Sequence, residues 1–174
     1  MARPRVAVTG VERFFSEQEL IVSKTDTKGR ITYSNRVFRG LASYSEEELI
    51  GQPHNLIRHP DMPRCVFKLL WDTIGAGREI FAYVVNRARN GDHYWVFAHV
   101  TPSFDVEGRI VGYHSNRRVP RRAAIDVVTP IYRQLLEIEG QHGDPKTGMA
   151  ASLDAMVSLL KSKGVSYDQF IFSI

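Results

Sequence analysis

The dipeptide Asn90-Gly91 separates two β-rich runs, and this pair is the strongest short signal for a tight hairpin turn, because both residues tolerate the positive φ that such turns need. The run before it, within Glu79 to Arg87, reads Ile-Phe-Ala-Tyr-Val-Val-Asn, and the run after it extends from His93 to Ser103. The returning run is apolar on both parities, with Tyr94, Val96, Ala98 and Val100 on one and Trp95 and Phe97 on the other. A strand with one face in water alternates apolar with polar residues, so this strand is central and both of its faces are covered. Asp105 to Gly108 then turns the chain into a further strand, Arg109 to Val119. The outer face of this sheet needs a cover, for which the pattern offers a helix over 11–19 or a second subunit.

An earlier hairpin precedes this meander. Leu20 to Thr25 and Arg30 to Tyr33 are β-rich and flank the turn Asp26 to Gly29. Ser34 or Asn35 caps a helix running to about Leu41, and Ser45 with Glu48 has the spacing of a capping box. Gly51 to Pro63 is rich in breakers. Asp61, with Pro63 in the first turn, opens a stronger helix carrying Val66, Phe67, Leu70, Trp71 and Ile74 on one face, which Gly75 and Gly77 end. Residues 1–10 read as a loose tail, and Val11, Phe14, Phe15 and Gln18 recur at the spacing of a short amphipathic helix.

After Val119, the residues Ala124, Val127, Val128, Ile131, Leu135 and Ile138 form an apolar stripe, with a possible kink at Pro130, that suits a docking or dimer helix. Gly140 to Gly148 reads as a polar loop, and Leu153, Met156, Val157 and Leu160 mark a last helix. The chain thus divides into 1–19, a tail and cap helix; 20–120, the α+β core; and 121–174, a helical extension.

Composition removes several function classes. The 174 residues are 43% hydrophobic and 24% charged, with a formal charge of +4. Arg117, Arg118, Arg121 and Arg122 concentrate part of that charge, but a single arginine run on a mixed surface reads as a solvated linker, not a nucleic-acid stripe. One cysteine, Cys65, excludes an internal disulfide framework and a multi-cysteine zinc site, and it reads as an inert packing residue. No stretch approaches the roughly 20 apolar residues of a membrane span, and no signal peptide opens the chain, so the expectation is a cytoplasmic protein without direct membrane insertion. No Ser/His/Asp order, HExxH, P-loop or dinucleotide fingerprint appears, so the chain is not read as an enzyme.

The order of two strands, short helices, a longer helix, three strands and an exit helix resembles the PAS sensor fold, a five-stranded antiparallel sheet with helices on one face that enclose a ligand pocket. The words Gly51 to Pro63 (Gly-Gln-Pro-His-Asn-Leu-Ile-Arg-His-Pro-Asp-Met-Pro), Phe67, Trp71, Asn86-Arg87 and Asn90 to Val96 are similar to those of bacterial aerotaxis transducers. The likeness covers about residues 20–120, which makes that segment the PAS sensor domain. It implies non-covalent FAD, redox or oxygen sensing in chemotaxis or signal transduction, and output by contact of the helical ends with a signalling partner, in a homodimer.

The resemblance implies Asn35, Arg58, His59, Asp61 and Asn86 as flavin contacts, and Trp71, His114 and Asn116 complete the candidate set. Asparagine supplies donors and acceptors for the polar edge of a buried ring, and arginine suits carbonyl or phosphate oxygens. Where the family has a Trp-Ser-Gly word, this chain has Ile80-Phe81-Ala82, leaving Phe81 and Tyr83 to supply an aromatic wall. Two alternatives stand beside the flavin reading: a haem or small-metabolite sensor, for which His54, His59, His99 and His114 are the histidines to consider, and a cofactor-free dimerisation or adaptor module. The blue-light cysteinyl adduct is not expected, because His54-Asn55-Leu56 has no sulfur where such domains place their cysteine.

Overall fold

The computed structural model describes residues 7–174; of the tail expected over residues 1–10, residues 1–6 lie outside the described residues, and Thr9 is tied down by its N–H to the Gly91 carbonyl at 3.0 Å and its hydroxyl to Asp92 at 2.6 Å. The strands β1 (Ile21–Thr25), β2 (Ile31–Ser34), β3 (Ile80–Arg87), β4 (His93–Phe104) and β5 (Ile110–Arg118) form one antiparallel sheet in the order β2-β1-β5-β4-β3. β4 therefore has a neighbour on each side, as its two apolar parities require. Two of the hairpins use the same turn chemistry. The Asp26 carboxylate accepts from the N–H groups of Lys28 and Arg30 at 2.9 and 2.8 Å, and Asp105 accepts from those of Glu107 and Arg109 at 2.9 Å each.

Between the two parts of the sheet run α1 (Arg36–Ala42), α2 (Glu46–Leu49), a 3₁₀ turn at His54–Ile57 and α3 (Arg64–Gly75). Asn35 caps α1 by accepting from Phe38 N–H at 3.0 Å, and Ser45 with Glu48 closes the expected capping box on α2. The stronger helix starts later than the pattern predicts. Asp61 is exposed and Pro63 is still extended, because Met62 must first reach the core, where its sulfur takes the Val85 N–H at 3.3 Å.

The ends of the chain depart from expectation. Residues 11–19 form no helix. Arg13 N–H donates to the His93 carbonyl at 2.7 Å and His93 N–H to the Val11 carbonyl at 2.9 Å, so this backbone spends its hydrogen bonds beside β4 and has none left for a helix. The Arg13 side chain fixes the segment through Asp92 at 2.8 Å and the Leu41 carbonyl at 2.8 Å.

The C-terminal extension is α4 (Arg122–Gly140), α5 (Pro145–Ser162) and α6 (Tyr167–Ser173), and it folds back onto the domain. Ala124, Val128, Tyr132 and Leu135 of α4 are buried in the common core and Ile125 is buried beside them in the helix, whereas Val127, placed on the same stripe by the sequence, is 40% exposed. The stripe is thus mostly consumed within the chain and does not stand free as a dimer surface. The polar loop is shorter than expected, since Asp144 caps α5 by accepting from Thr147 N–H at 2.8 Å and Pro145 occupies the first turn.

These helices, and not an N-terminal helix, lie over the outer face of β3 and β4. The Phe172 ring lies 4.8 Å from Phe81 and 6.2 Å from Phe97, and Tyr132 stacks at 6.3 Å on Trp95. They also close an edge. β3 is terminal in the sheet, and its outward carbonyls at Tyr83 and Phe81 accept from the Tyr132 and Tyr167 hydroxyls at 2.6 and 2.9 Å.

Candidate functional site

A cavity of about 550 Å³ lies between α3 and the inner face of the sheet, within the range of cofactor-sized pockets. Strand alternation decides what reaches it. Val84 and Asn86 on β3, Ala98 and Val100 on β4, Tyr113, Ser115 and Arg117 on β5, and Ser23 and Thr25 on β1 share the inner face. From the helical side come Phe67, Leu70, Trp71 and Ile74 of α3, all within the one apolar stripe that buries this helix. Most of the wall is therefore apolar, with a few polar groups set into it.

Trp71 roofs the turn between β1 and β2. Its ring meets Tyr113 edge-on at 5.4 Å and lies so close to Gly29 that a Cβ there would stand 2.9 Å from it. The φ of +75° at Gly29 is a second reason for glycine at this position. At the rim stand Lys28, Arg58, Arg64 and Lys68, together with Met149, a residue of α5. No Asp or Glu is among the described residues that line the cavity. Asp72 pairs with Lys68 just outside the lining, so the cationic character of the cavity rests on Lys28, Arg58, Arg64 and the buried Arg117, which suits an anionic ligand.

The inner polar end is built from Arg117, Ser23 and His54. Arg117 is 2% exposed and donates to the Ser23 hydroxyl oxygen, while its Nε and Nη1 lack partners. Its guanidinium carbon sits 4.6 Å over the Phe38 ring, and burial pulls its pKa down to about 10. Ser23 Oγ lies 3.0 Å from His54 Nε2, and His54 is stacked on Phe38 at 6.0 Å. Burial first, and the Arg117 cation second, push the His54 pKa down to about 3, so the ring is neutral.

The expected site residues separate into two groups. Arg58, Trp71 and Asn86 line the cavity, and the Arg58 backbone bridges to Asn86 across the β3 edge, which brings these two together. Arg58 also donates to the Met62 carbonyl at 2.9 Å and lies 4.7 Å over the Phe67 ring. Asn35 lies elsewhere, and its amide is spent on Val22, Leu20 and Phe38 backbone groups at the start of α1. His59 packs against His93 at 5.7 Å and accepts from Asp61 N–H, while the Asp61 carboxylate points into solvent. His114 and Asn116 occupy the opposite parity from Arg117, so they sit on the outer face, 3.3 Å from each other.

The same parity places Phe81 and Tyr83 on the outer face, so the aromatic wall of the cavity is Phe67, Trp71 and Tyr113. Of the histidines considered for haem, only His54 lines the cavity, and its Nε2 is engaged by Ser23. His99 is held at the surface by Glu79 at 2.7 Å. Cys65 is buried at the start of α3, where its N–H donates to Glu139 of α4 at 3.1 Å.

The sequence reading missed Arg117, which it placed in a solvated run with Arg118, Arg121 and Arg122. The missing signal was register: Arg117 pairs across β4 with Ala98, on the apolar inner parity.

The order of elements and the position of the cavity agree with the family that the sequence matches, since the PAS fold aligns with residues 31–117. The chain belongs to the PAS family. It is 41% identical over 120 residues to the aerotaxis receptor of Escherichia coli, a match covering 69% of this chain and 24% of the receptor. The nitrogen fixation regulatory protein of Klebsiella pneumoniae is 28% identical over 102 residues, 59% of this chain and 21% of that protein. This PAS chain therefore spans about a quarter or less of these relatives. Among solved structures, the blue-light photoreceptor Aureochrome1 LOV superposes with a TM-score of 0.56 at 23% identity, over 67% of this chain and 86% of that one, a likeness of fold.

Proposed function

We propose that this PAS domain is a cytoplasmic, non-enzymatic sensor that holds FAD in the inner cavity and reports its redox state to a signalling partner, in chemotaxis or a related pathway. The observation that carries the reading is the cavity itself: apolar and aromatic walls, Asn86 and Arg58 side by side, and a lining that includes cations but, among the described residues, no Asp or Glu. A flavin nucleotide has the matching parts. Its flat ring suits Phe67, Trp71 and Tyr113, its polar ring edge suits Asn86, and its diphosphate suits Lys28, Arg58 and Arg64 at the rim. The bound flavin would supply the redox chemistry; the chain's own residues bind and orient it and exclude water. The similarity to an aerotaxis receptor supports redox or oxygen as the signal.

Output through the C-terminal helices is supported by two contacts. Glu139 of α4 accepts from Cys65 N–H in the first turn of α3, the helix that walls the cavity, and Met149 of α5 lines the cavity directly. A ligand that shifts α3 thus acts on α4 and α5 together. The homodimer in this reading is checked by sedimentation of the whole chain.

The test is the absorption spectrum of freshly purified protein, with mass spectrometry of the chromophore released on denaturation. Flavin bands and the mass of FAD are the expected result. A Soret band would assign haem, and a colourless protein that takes up no added FAD would leave a cofactor-free module.

A further inference from the structure

Burying a cation without a counter-charge costs several kcal/mol, and a fold keeps one only where something else recovers the cost. Arg117 is such a cation. It is 2% exposed, no carboxylate is among the described cavity-lining residues, and its one side-chain hydrogen bond goes to Ser23. Ser23 Oγ accepts from Arg117 and also lies within hydrogen-bond distance of His54 Nε2, at 3.0 Å. Ser23 and His54 thus engage each other, and Arg117 keeps unused N–H groups.

We infer that Arg117 is an anion-receiving subsite at the inner end of the cavity, which selects an aromatic ligand carrying an anionic or strongly polarised acceptor edge over its neutral counterpart. Ser23 and His54 are positioning residues, which hold the guanidinium over Phe38 and direct its remaining donors. The rim cations attract a charged ligand from solution, whereas Arg117 reads the charge of the part that enters the apolar interior. The inference rests on the cavity being a ligand site and not on the ligand being a flavin.

The probes are 2-naphthoate and its neutral isostere 2-naphthamide, titrated calorimetrically into the whole chain with any copurified chromophore removed. Wild type should prefer the carboxylate by at least about tenfold. Arg117→Met should abolish the preference, Arg117→Lys should retain part of it, and Arg117→Met without ligand should unfold at the same or a higher temperature, since it removes an unpaired buried charge. Should Arg117→Met fail to fold, Arg117→Gln serves as the neutral variant. Equal affinity of wild type for the two probes, or a preference that survives in the neutral variant, would overturn the subsite. Absence of a flavin chromophore would bear only on the cofactor and leave this comparison intact.

Discussion

On β4, Tyr94, Val96, Ala98 and Val100 lie on the inner face, while Trp95 and Phe97 face the C-terminal helices, and the two sides are finished by different physics. The outer side is closed ring against ring, and the β3 carbonyls beside it are matched one by one with tyrosine hydroxyls. The inner side keeps about 550 Å³ open and leaves Arg117 Nε and Nη1 unmatched. A closed face contributes stability, and an open face with unmet donors gives up stability to bind something. The same strand serves both because its side chains alternate.

If the contrast holds, damage to the outer cover should be costly. Truncation after Ser162 removes α6 with buried Ile171 and the Phe172 ring, and it should cost at least about 2–5 kcal/mol in urea denaturation, with association of the exposed faces seen by light scattering. Unchanged stability would show that the outer aromatics need no cover. Tyr132→Phe is the finer probe. It leaves the Tyr83 carbonyl at the sheet edge without its 2.6 Å donor, and a loss of about 1–3 kcal/mol is expected.

The inner face should respond to acid. The His54 pKa is near 3 when folded, below the ordinary value of 6.5, so the unfolded chain takes up a proton first as pH falls. The His54 contribution is complete above pH 6.5 and is lost progressively toward pH 3, at no more than about 1.4 kcal/mol per pH unit. Subtracting the curve of His54→Gln from that of wild type isolates this slope; identical curves would mean that His54 does not stay neutral in the fold.

The smallest effect on stability is expected at the cavity roof. Trp71 is 39% exposed, so Trp71→Ala should cost less than about 1.5 kcal/mol in thermal unfolding while it lowers retained cofactor severalfold. A large stability loss with full cofactor retention would make Trp71 a packing residue and erase the contrast between the faces.

Local chemistry was legible without the fold. The Asn90-Gly91 turn, the Asp26 and Asp105 turns, the Ser45 and Glu48 box and the helix-breaking glycines act over a few residues, so the sequence alone determined the three hairpins, the order of elements within residues 20–120 and the PAS family. The demand that Trp95 and Phe97 be covered was equally readable from parity. Which segment answers it was not, because Phe172 and Tyr132 are brought there by α4 to α6 closing over a sheet edge, a long-range choice among several apolar stripes. The same limit governs the site. Arg58, Trp71 and Asn86 carry their place in local words, but Arg117 differs from Arg118 only by strand register, and pairing with Ala98 put one in the cavity and the other on the surface. A one-residue offset inverts every side chain of a strand, so the charge that defines the inner end of this cavity was decided by the tertiary pairing of β4 with β5.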